Sequence, residues 1–506
     1  MKQQTGPGLF SAIALSVGTM MGSGWLFASY YASKAAGGAS IFSWIIGAAS
    51  VLIMALLLAE IAIKHPVNGL FTRLISLSHN QHFGFVTGIS NWLLGLIVIP
   101  SEAIATTQYL ASIYKPMTHY IFSNDQLTIW GITIVGLLML LYTIINYWGI
   151  RFFAKINNSI TTLKIIIPLA TAIIMIIAAF HSSNFTAEKN SFIPFGTSSI
   201  FSAIVSCGIF YSFFGFQTAA SFTAELKNPK RNVPIALVCS VLIVLGIYLL
   251  LQIAFIGALP PHMLSGGWQG LNFESPLAQL AGLLGLNALA VILYADALVS
   301  PSGTGLIYMG ASTRMLNEMG KNHQVPKVFA QVNTQIGMSR VSLIFTFICS
   351  FVLILFFKNW QLIASLTTTF ILISCIALPV AHAKLSANKK DPLPIRYLPF
   401  SGLFTFVIFL FLGYLLMISG TVNLAVALIL HLGFFIMYGI MHQRASSKTS
   451  YKLMLKSSWG IFAFLIFELI SSIFYAIPHN VTVFYTIFFV LLIIFYGILV
   501  SQKNYA

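Results

Sequence analysis

Charge is what this chain most lacks. Only 7% of its 506 residues are Asp, Glu, Lys or Arg, and the acids number ten. A soluble chain of this length needs a charged surface, which ten acids and twenty-six bases cannot supply. Cysteine is scarce as well. Cys207, Cys239, Cys349 and Cys375 fall inside apolar runs at unrelated spacings, which argues against disulfides and a thiolate metal site and reads as small buried hydrophobes. No HExxH, P-loop, GxSxG or nucleotide fingerprint occurs in a supporting context, and the eleven histidines lack metal-ligand spacing. No metal or cofactor is expected. An integral-membrane enzyme would need polar residues clustered at one interface, whereas here they stand isolated at mid-depth. A channel would need rings of like residues supplied by an oligomer. Strand-like alternation of polarity is missing too, so a β-barrel is rejected.

What is present is apolar sequence in runs of about 20 residues, long enough to cross a hydrocarbon core about 30 Å thick. Mean hydropathy is +0.91. The runs predict about fourteen spans: 9–33, 39–63, 84–112, 127–147, 158–180, 198–222, 235–259, 286–312, 341–357, 360–383, 400–418, 422–441, 457–477 and 481–501. The fold class is an all-α polytopic membrane protein. The opening MKQQTGPGLF carries one lysine before a span too long for a signal-peptide core, with no A-x-A-like cleavage site, so the first helix is read as uncleaved.

With both termini cytoplasmic, twenty-one of the twenty-six Lys and Arg fall in inside loops. Four (Lys34, Lys115, Lys189 and Lys358) fall outside, and Lys164 lies within a span. That asymmetry is a strong positive-inside signal. The formal charge of +16 is therefore topological: it points to a cytoplasmic (inner) membrane and anionic lipid headgroups, not to nucleic acid.

Two spans are interrupted at corresponding places, five spans apart. The first holds GTMMGSG, with Gly18, Gly22, Ser23 and Gly24; the sixth holds YSFFGFQTAASF, with Gly215 between aromatics and Gln217 beside it. Irregular backbone at membrane depth is tolerated only where protein or a watery cavity satisfies it. A matched pair of broken helices points to an inverted-repeat transporter with a midplane site. Close helix packing through Gly18-x-x-x-Gly22 is the competing reading of the first interruption.

GTMMGSGWLF resembles the first-helix motif of the amino acid–polyamine–organocation permeases. FYSFFGFQTAASFTAELKNPKRNVPIAL resembles their sixth helix and the loop after it, through the segment from Glu225 to Pro234. The resemblance covers the first ten spans and leaves spans 11–14 outside its core. It implies a five-plus-five inverted repeat of the LeuT-like kind: residues 1–397 as transport core (repeat one about 8–180, repeat two about 198–384) and 398–506 as four additional helices. It also implies that backbone at the two breaks holds a substrate's α-carboxylate and α-amino group. The matching positions are Gly22, Ser23 and Gly24, then Phe210, Tyr211, Ser212, Phe213, Phe214 and Gly215. Elementary physics agrees, since small residues expose N–H groups and a half-helix N-terminus favours an anion.

Ionisable groups inside a membrane are expensive and are functional candidates by default. Glu102 lies mid-span after Pro100, Asp296 lies part-way along span 8, and Lys164 sits about two turns into span 5. The family's third-helix pattern points Glu102 at the substrate. Lys164 matches a position where some members carry a lysine in place of a bound sodium ion, with Ser300 and Ser302 of span 8 as its expected partners, which implies proton coupling. Structural roles compete for each: snorkelling for Lys164, pairing with a buried hydroxyl or lysine for Asp296. Gln217 stands where some exchangers carry a glutamate, so that carboxylate is absent here. Glu60 reads as an i,i+4 surface pair with Lys64, and Glu468 has no evident partner.

The expected function is secondary active transport of an amino acid by proton symport, with no enzymatic activity. Exchange of amino acids or an amine is the alternative within transport. Substrate side-chain charge stays open.

Overall fold

A computed structural model of the chain describes residues 8–67, 70–148, 151–186, 192–221, 223, 226–332, 339–388, 393–445, 449–477 and 480–502. Lys2, Lys189, Glu225, Lys389, Lys390, Lys448 and Lys503 lie outside these residues.

The helices are α1 (Leu9–Met20), α2 (Gly24–Ala36), α3 (Ser40–Lys64), α4 (Leu70–Ser78), α5 (Gln81–Ser112), α6 (Lys115–Ile121), α7 (Ile129–Trp148) and α8 (Arg151–Ala178). Then come α9 (Ser183–Thr186), α10 (Ser198–Ser206), α11 (Ile209–Ser212), α12 (Thr218–Ser221), α13 (Pro229–Ala258), α14 (Pro276–Leu283) and α15 (Asn287–Lys321). The last six are α16 (Arg340–Phe356), α17 (Trp360–Ser386), α18 (Ser401–Met417), α19 (Thr421–Ala445), α20 (Thr449–Tyr475) and α21 (Val481–Ser501). Each of the fourteen expected spans meets helix. Two are broken: span 1 is α1 plus α2, and span 6 is α10, α11 and α12.

Among the described residues, nine helical segments are long and apolar enough to cross a membrane, and four shorter apolar helices include α1, α16 and α18. The centre of the bundle is α5, which packs against α15 and α17. The apolar stretches of α5 and α17 are 94% buried, whereas that of α21 is 17% buried. Large apolar side chains such as Leu137, Ile177 and Ile494 face outward from α7, α8 and α21. Lipid is no less apolar than the interior, so such surfaces need no polar cover.

Between α6 and α7 a two-residue strand, Phe122–Ser123, pairs antiparallel with Gln126–Leu127. Asn124 and Asp125 take φ of 49° and 59°, the left-handed pair a tight hairpin requires. Leu127 N–H donates to Lys358 O (2.8 Å), tying this loop to the one before α17.

Glu60 departs from expectation. It is fully buried, and its Oε2 lies 2.7 Å from His382 Nε2 on α17. Its Oε1 accepts from the N–H groups of Tyr397 (2.7 Å) and Leu398 (3.2 Å). The helical i+4 neighbour suggested a surface pair; the folded bundle supplied a buried imidazole instead. Glu468 on α20 is also fully buried, and neither carboxylate oxygen has a hydrogen-bond partner among the described residues.

Candidate functional site

The two broken spans meet. Gly215, at φ 119°, lies so close to α1 that a Cβ there would sit 2.9 Å from Met20 N and 3.0 Å from the Thr19 carbonyl carbon. Only glycine combines that backbone conformation with that approach. Ser16 Oγ on α1 accepts from Ala219 N–H (3.1 Å) at the start of α12, and Gln217 Oε1 accepts from Gly215 N–H (3.1 Å). Gln217 thus caps its own loop. Tyr248 of α13 donates to Met20 O (3.2 Å), satisfying a carbonyl freed where α1 stops.

Span 1 reopens as a helix at Ser23. This N-cap residue makes no side-chain bond to its own helix. Its groups turn to α5 instead: Ser23 N–H donates to Glu102 Oε2 (2.9 Å) and Ser23 Oγ donates to Glu102 Oε1 (3.0 Å). Tyr211 of α11 donates to the same Oε1 (2.5 Å), and its hydroxyl also pairs with Ser101 Oγ (3.0 Å). The indole N–H of Trp360 donates to Ser23 Oγ (2.9 Å). Glycine is required around this carboxylate. A Cβ on Gly22 would lie 2.7 Å from Glu102 Oε1 and 3.4 Å from Thr304 Cγ2, and one on Gly24 would overlap Ser212 Oγ.

Lys164 lies beyond Thr304 and is buried; its Nζ donates to Thr304 Oγ1 (2.6 Å). The expected partners, Ser300 and Ser302, are corrected here. Thr304 is one helical turn past Ser300 on the same face, and Lys164 reaches that next rung. Ser302 Oγ bonds instead to Tyr142 (3.0 Å) and Thr106 (3.5 Å). Ser300 Oγ and Asp296 Oδ2 have no hydrogen-bond partner among the described residues.

Above the break stands an aromatic stack. Trp360 lies over Phe27 (centroids 4.8 Å) and Tyr31 (5.7 Å), with Tyr211 edge-on at 6.3 Å. Below it a cavity of about 10 Å³, room for one water-sized sphere, is lined by Gly22, Gly24, Glu102, Tyr211, Ser212, Phe214 and four others. Those four, Thr19, Met20, Thr304 and Tyr308, are ones sequence reasoning missed. So was Trp360, which in sequence looks like a tryptophan anchoring a span end. Of the positions carried over from the sixth helix, Phe210, Phe213 and Gly215 do not line it. Phe213 packs on Trp44 and Tyr248, and Phe210 O accepts from Phe213 N–H (3.2 Å).

Two interrupted helices that meet at a small polar centre, inside a helical bundle with apolar outward faces, define a secondary transporter of the LeuT-like class. Residues 8–441 match the family model described as amino acid permease, and the chain belongs to that family. The match runs through α18 and most of α19, further than the ten spans that the two motifs covered. The chain is 38% identical over 387 residues to the glutamate/serine transporter AimA of Bacillus subtilis, covering 76% of this chain and 72% of that protein. It is 32% identical over 476 residues to the aspartate-proton symporter of the same organism, covering 93% and 90%. The human cationic amino acid transporter 4 is 27% identical over 328 residues, 63% of this chain and 50% of its own length.

Proposed function

We propose that this chain carries small polar or acidic L-amino acids into the cell by proton symport and alternating access. The observation that carries the reading is the arrangement around Gly22, flanked by Glu102 and by Thr304, with Lys164 bonded behind Thr304. One buried acid and one buried base thus lie on either side of the break, near enough to act on each other. The names of the two bacterial relatives support the substrate class and the coupling ion. A fixed ammonium beside the site also suits an acidic side chain, which would otherwise enter facing only Glu102.

In this reading residues 1–397 form the transport core, about 8–180 and 198–384 are its two repeats, and 398–506 are additional helices. The site residues are the backbone of Gly22 to Gly24 and of Phe210 to Gly215, with Glu102, Lys164 and Asp296 as the proton-coupling groups. The membrane is the cytoplasmic (inner) one, both termini face the cytoplasm, and the Trp360 stack closes the outer side.

Purified protein in liposomes tests this with labelled L-glutamate, L-aspartate and L-serine, beside L-leucine and L-arginine. An inside-alkaline pH gradient without sodium is expected to drive accumulation that a protonophore abolishes. Uptake that needs sodium and survives Lys164→Ala overturns proton coupling. Uptake only against internal amino acid makes the protein an exchanger.

A further inference from the structure

We infer that Glu102 occupies, with its own side chain, the place of the substrate's α-carboxylate, and that substrate binds by displacing it. This rests on the amino-acid transport reading and adds to it the event that ties proton to substrate.

The donors around Glu102 form a carboxylate cradle. One N–H and one hydroxyl come from Ser23 at the start of α2, and a phenol comes from Tyr211 at the second break. Trp360 holds the Ser23 hydroxyl from α17, and Ser101 holds the Tyr211 hydroxyl. All are neutral donors, aimed from separate helices at one anion, with the positive end of a half-helix behind them. A substrate carboxylate needs the same set. Glu102 already holds it, and the remaining cavity has room for about one water. Gly22 and Gly24 offer no free space either, since Glu102 and Ser212 fill the positions beside them. Substrate and Glu102 therefore compete.

Displacement has an electrostatic consequence. Glu102 loses three hydrogen bonds that favour its anion and gains a second carboxylate as neighbour. Both changes favour the protonated acid. Each substrate bound thus takes up one proton from water, and by linkage each proton favours substrate. The other titratable groups facing Glu102 are Lys164 on α8, Tyr142 on α7, Tyr211 on α11, Tyr248 on α13 and Tyr308 on α15, with Asp296 acting on Lys164. Lys164 is the cation among them. Its hydrogen bond goes to Thr304, so its charge stays in place while Glu102 moves and takes the proton.

The test is binding of L-serine to the purified full chain in weakly buffered detergent, read by calorimetry and a pH dye. The expected result is about one proton taken up per serine, with affinity falling about tenfold per pH unit where free Glu102 is ionised. Glu102→Gln, a neutral side chain of the same shape, is expected to bind serine with no proton uptake and no pH slope. It should also bind about tenfold more tightly than the wild type at alkaline pH. Should that variant fail to fold, the serine-induced infrared difference spectrum of the wild type is expected to gain a protonated-carboxyl band. A wild-type affinity independent of pH, a variant that keeps the wild-type slope, or a spectrum without that band overturns the inference. If the wild type binds neither serine, glutamate nor aspartate, the transport reading itself fails and this inference falls with it.

Discussion

The indole N–H of Trp360 donates to the hydroxyl of Ser23 over 2.9 Å, joining the start of α17 to the break in span 1. The same ring stacks on Phe27 and Tyr31, so one side chain both packs over the break and orients the serine that holds Glu102. Trp360→Phe keeps much of the stacking area and removes the donor. About 1 kcal/mol of stability is expected to go with it, read as a slightly lower melting temperature in detergent. Substrate affinity is expected to change less than about threefold, because the same serine holds Glu102 before substrate displaces it.

Gly24 faces Ser212 with no room for a methyl group. Gly24→Ala is expected to push the two broken spans apart and to reduce uptake about a hundredfold, since small misplacements near a reacting or binding centre are costly. Adding Ser212→Ala removes the overlapping Oγ but leaves a Cβ at 3.3 Å, so partial recovery of uptake is the expected outcome. A double variant no better than the single would show that the contact with Ser212 is not what limits Gly24.

Glu60 and His382 form a buried pair, with Thr405 Oγ1 of α18 on His382 Nδ1 (3.1 Å) and two backbone N–H groups on Glu60. The cluster fastens α3, α17 and the start of α18 together. Removing one member leaves a buried polar group without its hydrogen-bond partner, at a cost of about 1 to 3 kcal/mol. His382→Ala is expected to lower the melting temperature in detergent by several degrees. The double variant Glu60→Gln with His382→Ala is expected to lose less than the sum of the two single losses.

His79, in the turn between α4 and α5, bonds through Nε2 to Leu499 O (3.0 Å) and through Nδ1 to Ser78 Oγ (2.8 Å). Burial, and secondarily the charge of Lys384, push its pKa down to about 4. An unfolded histidine titrates near 6.5, so between those values the unfolded chain binds the proton more readily. This contribution to stability is complete above pH about 6.5 and is lost as pH falls toward 4, up to about 3 kcal/mol. Melting curves across that window are expected to fall less steeply in His79→Gln. Identical slopes in the two proteins would remove His79 from the account.

Much of the architecture was legible in the chain because lipid imposes a simple rule: about 20 apolar residues per crossing. Both breaks were legible as well, because glycine clusters have few other reasons to sit at membrane depth. Contacts between elements distant in sequence were not. Glu60 has a helical neighbour at Lys64, but its bonded imidazole stands 322 positions away. Lys164 was expected to reach Ser300 or Ser302 of span 8, yet the residue it bonds, Thr304, depends on how far α8 and α15 are displaced along each other.

The sequence alone determined the class of protein, the apolar segments that its helices fill and which residues carry expensive charge into the membrane. That information is local, because hydropathy, glycine content and charge are read one segment at a time. Only the tertiary structure decided that Gly215 packs on Met20 and that the donors of Ser23 and Tyr211 converge on Glu102. Such convergence is set by the packing of helices far apart in the chain, and a hydrogen bond needs its partners placed to within a few tenths of an ångström.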